Sequence, residues 1–139
     1  MVADRMHAAS AESTAIVDAV LDYSRRRMLA ADVPLDKPQT PIELKRLTGG
    51  GTITAQGLGA QRALATFEHV LAPACLTTSH PLYLSFIPTA PTMAAIAFDL
   101  VVSASGLYGG SWLEGAGAVH AENEVLAVLA REFGLPESA

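Results

Sequence analysis

The side chains that could carry chemistry are few and scattered: four histidines (His7, His69, His80, His120), one cysteine (Cys75) and, among the basic residues, the lysines Lys37 and Lys45. No two histidines stand four apart, so no helical metal-binding pair is present, and one cysteine excludes a multi-cysteine zinc site. His120-Ala121-Glu122 has the His-x-Glu spacing of zinc deaminases, which also need a downstream cysteine pair. Cys75 precedes His80 closely enough to imitate a Cys–His nucleophile, but a small buried thiol is the commoner role for a single cysteine. Gly109-Gly110-Ser111-Trp112-Leu113 lacks the closing glycine of a nucleophile elbow. Gly49-Gly50-Gly51-Thr52 lacks the lysine of a phosphate loop, and the runs beginning at Gly57 and Gly115 lack the third glycine of a dinucleotide fingerprint. Turn and helix-start glycines account for all three. A small hydrolase built on His80 or His120 would lack an oriented nucleophile. The residues predict no complete active site and no metal site.

The elements that must position these residues read as helices. Ile16, Val17, Val20, Leu21, Ser24 and Met28 form one stripe of a helix over about 10–30, with acids early and Arg25–Arg27 late, as the helix dipole favours. Asp22 and Arg26 make an i,i+4 pair. Thr40, Pro41 and Glu43 have the residue types of an N-cap, a first helical position and a capping box, which opens a helix over 41–48 before the glycine run. A third helix covers 58–72, with Leu64, Phe67, Val70 and Leu71 inward. Leu76 to Thr89 lacks helical spacing, and it reads as an extended, partly buried segment anchored by Leu82, Tyr83, Leu84, Phe86 and Ile87. The stretch over 91–105 is apolar nearly all round, which predicts a buried helix stopped by Gly106. The last helix runs over 117–133 and ends at Gly134-Leu135-Pro136, a left-handed glycine followed by an apolar contact and a proline. The expectation is an all-α chain of about five helices in one segment.

Composition narrows the setting. The 139 residues are 50% apolar and 17% charged, with nine basic against fourteen acidic side chains and a net charge of −5. Mean hydropathy is +0.32 and the isoelectric point is near 5.2. Intrinsic disorder is excluded by the apolar content, and a nucleic-acid partner by the missing basic stripe. No apolar run is long enough to span a bilayer, and the polar opening Met1-Val2-Ala3-Asp4-Arg5 is unlike a signal peptide. With a lone cysteine, this predicts a cytoplasmic protein without a membrane partner. So few charges on a small domain suggest apolar surface that needs covering, although alanine content alone would also raise the apolar fraction.

Two segments carry a resemblance. His80-Pro81-Leu82-Tyr83-Leu84-Ser85-Phe86-Ile87-Pro88-Thr89-Ala90 resembles the loop near the start of the group II pyridoxal-phosphate-dependent amino-acid decarboxylases, which include the aromatic amino-acid, histidine, glutamate and diaminobutyrate enzymes. Tyr108-Gly109-Gly110-Ser111-Trp112, with Ala121-Glu122-Asn123-Glu124 and the close at Phe133-Gly134-Leu135-Pro136, is similar to that family's approach to its cofactor domain. The resemblance covers Thr77 to Pro136 in order and spacing, and is only general before Thr77. It implies the helical N-terminal part of a fold type I lyase of carboxylic acid metabolism. That part would exchange helices with a second subunit in a homodimer and supply one wall of the amino-acid substrate pocket.

Residue by residue, the resemblance implies that His80, Pro81, Phe86, Pro88 and Thr89 line the pocket, and that Tyr108 and Gly110 reach the partner's site. The residues have structural readings too: Pro81 and Pro88 as loop shapers, Phe86 as core, His80 and Thr89 as buried hydrogen-bonding groups. Trp112 reads as an anchor. Gly110 departs from the bulky aromatic of the aromatic amino-acid decarboxylases, which puts an aromatic substrate in doubt. The family's cofactor lysine follows a histidine, which neither Lys37 nor Lys45 does. Pyridoxal phosphate and the catalytic groups are therefore expected in the parent enzyme beyond Ala139, with no catalysis by the 139 residues alone. The rival expectation is a stand-alone helical interaction or dimerisation module without chemistry.

Overall fold

A computed structural model describes residues 9–50, 53, 55, 57–87 and 90–136. Among them every regular element is helical and no strand occurs, so the all-α expectation holds. The chain divides into two units, Met1–Pro91 and Thr92–Ala139.

In the first unit, α1 (Ala11–Met28) opens with a capping box that joins Ser10 and Ser13. The Ser13 amide donates to Ser10 Oγ at 3.1 Å, and the Ser10 amide donates back to Ser13 Oγ at 2.6 Å. Arg25, Arg26 and Arg27 sit in the last turn, where free carbonyls favour cations. The expected cap opens α2 (Pro41–Leu47): the Glu43 amide donates to Thr40 Oγ1 at 3.2 Å, and the Thr40 amide donates to Glu43 Oε2 at 3.1 Å. The helix closes in a Schellman motif, in which Gly50 donates to the Lys45 carbonyl and Gly49 to that of Arg46. Gly49 at φ 74° supplies the left-handed residue this stop requires.

The third helix departs from simple expectation. α3 (Ala60–Thr66) continues as a π-helical turn over Phe67–Leu71, then a 3-10 turn over Ala72–Ala74. Pro73 has no amide to give, and its ring would strike the carbonyl four residues back in an α-helix. The wider turn, with the Ala72 amide reaching the Phe67 carbonyl, relieves that conflict. α3 packs on α1, where Tyr23 and Phe67 meet edge to face at 5.9 Å between ring centroids. Beside them Arg26 ties its own helix to the π turn, pairing with Asp22 and, at 3.0 Å, with Glu68.

The second unit holds α4 (Met93–Ser105) and α5 (Trp112–Glu132). Thr92 caps α4 by accepting the Ala95 amide at 3.2 Å, and Gly106 ends it in the left-handed region at φ 60°. α5 starts at Trp112, five residues ahead of the predicted start. Gly115 inside it is non-helical (φ −130°, ψ 30°), so a first turn joins the main helix across a kink. Its end is the expected one: Leu135 donates to the Ala130 carbonyl at 2.8 Å and Gly134 to that of Arg131 at 3.1 Å.

Burial corrects the sequence reading most. Among the described residues no apolar side chain is buried; only Thr77 and Gly115 are. α4, predicted buried, is exposed at every residue. A helix apolar nearly all round would need covering on every side, and the second unit has only α5 to offer. The segment after Leu76 is neither extended nor anchored. It folds into turns, and Leu82, Leu84, Phe86 and Ile87 are exposed, with only Tyr83 half-buried. No helix of the described residues is long and apolar enough to cross a membrane.

Candidate functional site

The residues implied as pocket-lining fall in both units. In the first, His80 and Pro81 sit together in consecutive turns. The His80 amide donates to the Thr77 carbonyl at 3.1 Å, and the Tyr83 amide donates to the His80 carbonyl at 2.9 Å. Pro81 therefore occupies the second position of a four-residue turn, where its fixed φ is favourable. The Leu82 amide donates to His80 Nδ1 at 3.0 Å. With Nδ1 accepting, the neutral imidazole carries its proton on Nε2. His80 is half-buried and Pro81 exposed, so the imidazole both shapes the turn and keeps one nitrogen free of that bond.

Further along this loop the backbone is strained. Phe86 (φ 64°) and Ile87 (φ 54°) are both left-handed, a conformation that costs an L residue about 1–2 kcal/mol. Ile87, β-branched, is the worse case of the two. Sequence alone gave no sign of this strain, since neither residue is a glycine or asparagine. Phe86 is 87% exposed and is thus no core residue. Pro88 and Thr89 lie outside the described residues.

In the second unit, Tyr108 and Gly110 stand together ahead of α5. A side chain at Gly110 would collide with the Tyr108 phenol, so the glycine is the space the tyrosine ring uses. A side chain at Gly115 would collide with the Tyr108 carbonyl, and this close approach of loop to helix explains both the glycine and its non-helical backbone. Sequence reasoning took Gly115 for a helix-start glycine and missed that contact. Ser111 holds the N-cap position but caps nothing. Its buried Oγ has no partner among the described residues. Trp112 is 63% exposed and anchors no core.

The remaining candidates stay apart. His120 lies on α5 with Nε2 at 3.9 Å from Glu124 Oε1, an exposed pair one turn apart. Cys75 is exposed rather than buried, and its thiol contacts the Leu71 carbonyl at 3.4 Å. Among the described residues no three His, Cys, Asp or Glu side chains gather as a metal site.

A pyridoxal cofactor needs an amine, an acid for its ring nitrogen and donors for its phosphate in one place. Lys37 is exposed on the loop before α2, and Lys45 is exposed in the last turn of that helix. Glu43, on the same helix, is committed to the cap at Thr40. The described residues do not fit the cofactor. Comparison with known proteins gives no match to any protein family, curated protein or solved structure.

Proposed function

We propose that this chain is the helical N-terminal portion of a pyridoxal-phosphate-dependent amino-acid decarboxylase. In that parent it clasps a second subunit, supplies one wall of the substrate pocket through His80, Pro81, Phe86 and Thr89, and reaches the partner's pocket through Tyr108 and Gly110. The amine, acid and phosphate-binding groups belong to the rest of the parent.

The observation that carries this reading is the state of the His80–Ile87 loop. Leu82, Leu84, Phe86 and Ile87 stand exposed, and the last two are held in left-handed backbone. Strain of this kind collects at binding sites and needs surrounding structure to maintain it, which for these exposed residues the rest of the proposed parent would supply. A loop that serves only to connect has no use for four exposed apolar side chains in a row of turns. A self-contained interaction module would share the exposed helix faces and the exposed apolar loop; what favours the enzyme is the likeness of His80–Ala90 to the decarboxylases' loop.

The test is to express the uninterrupted reading frame that contains these residues, supply pyridoxal phosphate, and follow carbon dioxide release from a panel of amino acids. The expected result is release from one non-aromatic substrate class, by a chain carrying a His-Lys pair beyond residue 139. A frame without that pair, or no release from any amino acid, would overturn the proposal.

A further inference from the structure

The first unit contains a recess that abuts the start of the pocket loop but includes none of its implied site residues. It has a volume of about 270 Å³ and lies between the last turns of α1 and the chain at 67–79. Its wall combines three chemistries. Tyr23 and Phe67 supply aromatic edges, Arg27 supplies a guanidinium, and Thr78 and Ser79 supply exposed hydroxyls. Thr77 also lines it. It is the one buried polar residue among those described, and its Oγ1 donates to Asp36 at 3.3 Å.

Arg27 is, among the described residues, the only charged side chain in the wall of this recess. Among the described residues Arg27 makes no ion pair, whereas its neighbour Arg26 makes two. Of the nearby carboxylates, Glu68 is neutralised by Arg26; Asp36 is not part of the wall, but it accepts from Thr77 and keeps its negative charge, so Arg27 must outweigh it for an anion to bind. A guanidinium presents paired donors that match a carboxylate or phosphate, and hydroxyls add further donors. The volume lies just below the usual range for small-molecule sites, which suits a ligand of one ring.

We infer that this recess binds a small aromatic or apolar acid, its anionic group on Arg27, Thr78 and Ser79 and its ring against Tyr23 and Phe67. The inference rests on the first unit alone and stands whether or not the parent is a decarboxylase.

Cys75 gives the test a built-in reporter, since it lines the same recess, is exposed, and is the sole thiol. The 139-residue chain is alkylated with iodoacetamide, a neutral reagent, in increasing benzoate, with benzyl alcohol and inorganic phosphate as separate probes. Benzoate should slow alkylation saturably, with half-effect in the millimolar range, and each of the other two should do so more weakly. Arg27→Gln should weaken benzoate protection about tenfold, as expected for loss of a charged hydrogen bond. Arg25→Gln, an exposed arginine outside the recess, should leave protection unchanged. No saturable protection in the unsubstituted 139-residue chain, equal protection in Arg27→Gln, or equal protection by benzyl alcohol would each overturn the inference.

Discussion

At the scale of the residue, hydrogen bonds local in sequence govern what the candidate site residues do. His80 accepts the Leu82 amide, a bond at a half-exposed turn. Water can replace it, so its loss should cost no more than about 0.5–1.5 kcal/mol. If the proposed decarboxylase parent places His80 in its pocket, His80→Ala should reduce kcat/KM there while the melting temperature barely moves. A lower melting temperature with unchanged kinetics would make His80 a turn-former only. Glu43 offers a second test, through pH. Its carboxylate accepts the Thr40 backbone amide and then the Thr40 hydroxyl, and these bonds hold its pKa below the ordinary 4.5. A group whose folded pKa is depressed stabilises the fold fully above its unfolded value and loses that contribution as pH falls through the folded one. Helical chemical shifts of residues 42–47 should accordingly be constant above 4.5 and decay at lower pH, and Glu43→Gln should abolish the dependence. A midpoint at or above 4.5, or the same decay in the variant, would contradict the assignment.

At the scale of the element, helix starts and stops were legible in the sequence because caps are local chemistry. The Thr40–Glu43 box, the glycine stop after Thr48, the Gly106 stop and the Gly134-Leu135 close all stand where residue types placed them. What was hidden depends on contacts that sequence spacing does not encode. The π turn answers to a proline at its far end, and the early start of α5 lacks the side-chain cap that would have announced it. Gly115 is the sharpest case, because its meaning lies in a carbonyl seven residues earlier that no periodicity connects to it. Substitutions separate its role from that of its neighbour. Gly115→Ala should drive the Tyr108 loop from the helix and fray residues 112–114, seen as lost amide protection there. Gly117→Ala meets open space in a helical position, so it should instead stabilise α5 by roughly 0.5–1 kcal/mol. Equal effects of the two would show that the loop contact is unimportant.

At the scale of the whole molecule, the sequence announced apolar helices correctly and their burial wrongly, because burial is a property of what surrounds a surface. α4 presents Phe98, Val101 and Val102 to solvent, and α5 presents Val125, Leu126 and Leu129. Apolar surface removed from water is worth roughly 25 cal/mol per Å², and one valine or leucine fully covered contributes about 1.5–3 kcal/mol. Several such side chains covered at once would offset the entropy lost when two chains associate. A second copy of the chain is the partner always at hand, and like chains tend to meet across a two-fold axis. The 139-residue chain is therefore expected to sediment as a dimer or larger species at micromolar concentration, and to bind a hydrophobic dye through whatever apolar surface stays uncovered. Val101→Glu places a charge on the exposed face of α4. If that face is the contact, the charge must be desolvated on association, and the dissociation constant should rise by about tenfold or more. α4 already carries the exposed carboxylate of Asp99, so a charge as such does not prevent this helix from forming. A monomer at all concentrations with no dye bound would mean that these helices need no partner. A dimer indifferent to Val101→Glu would move the contact away from α4.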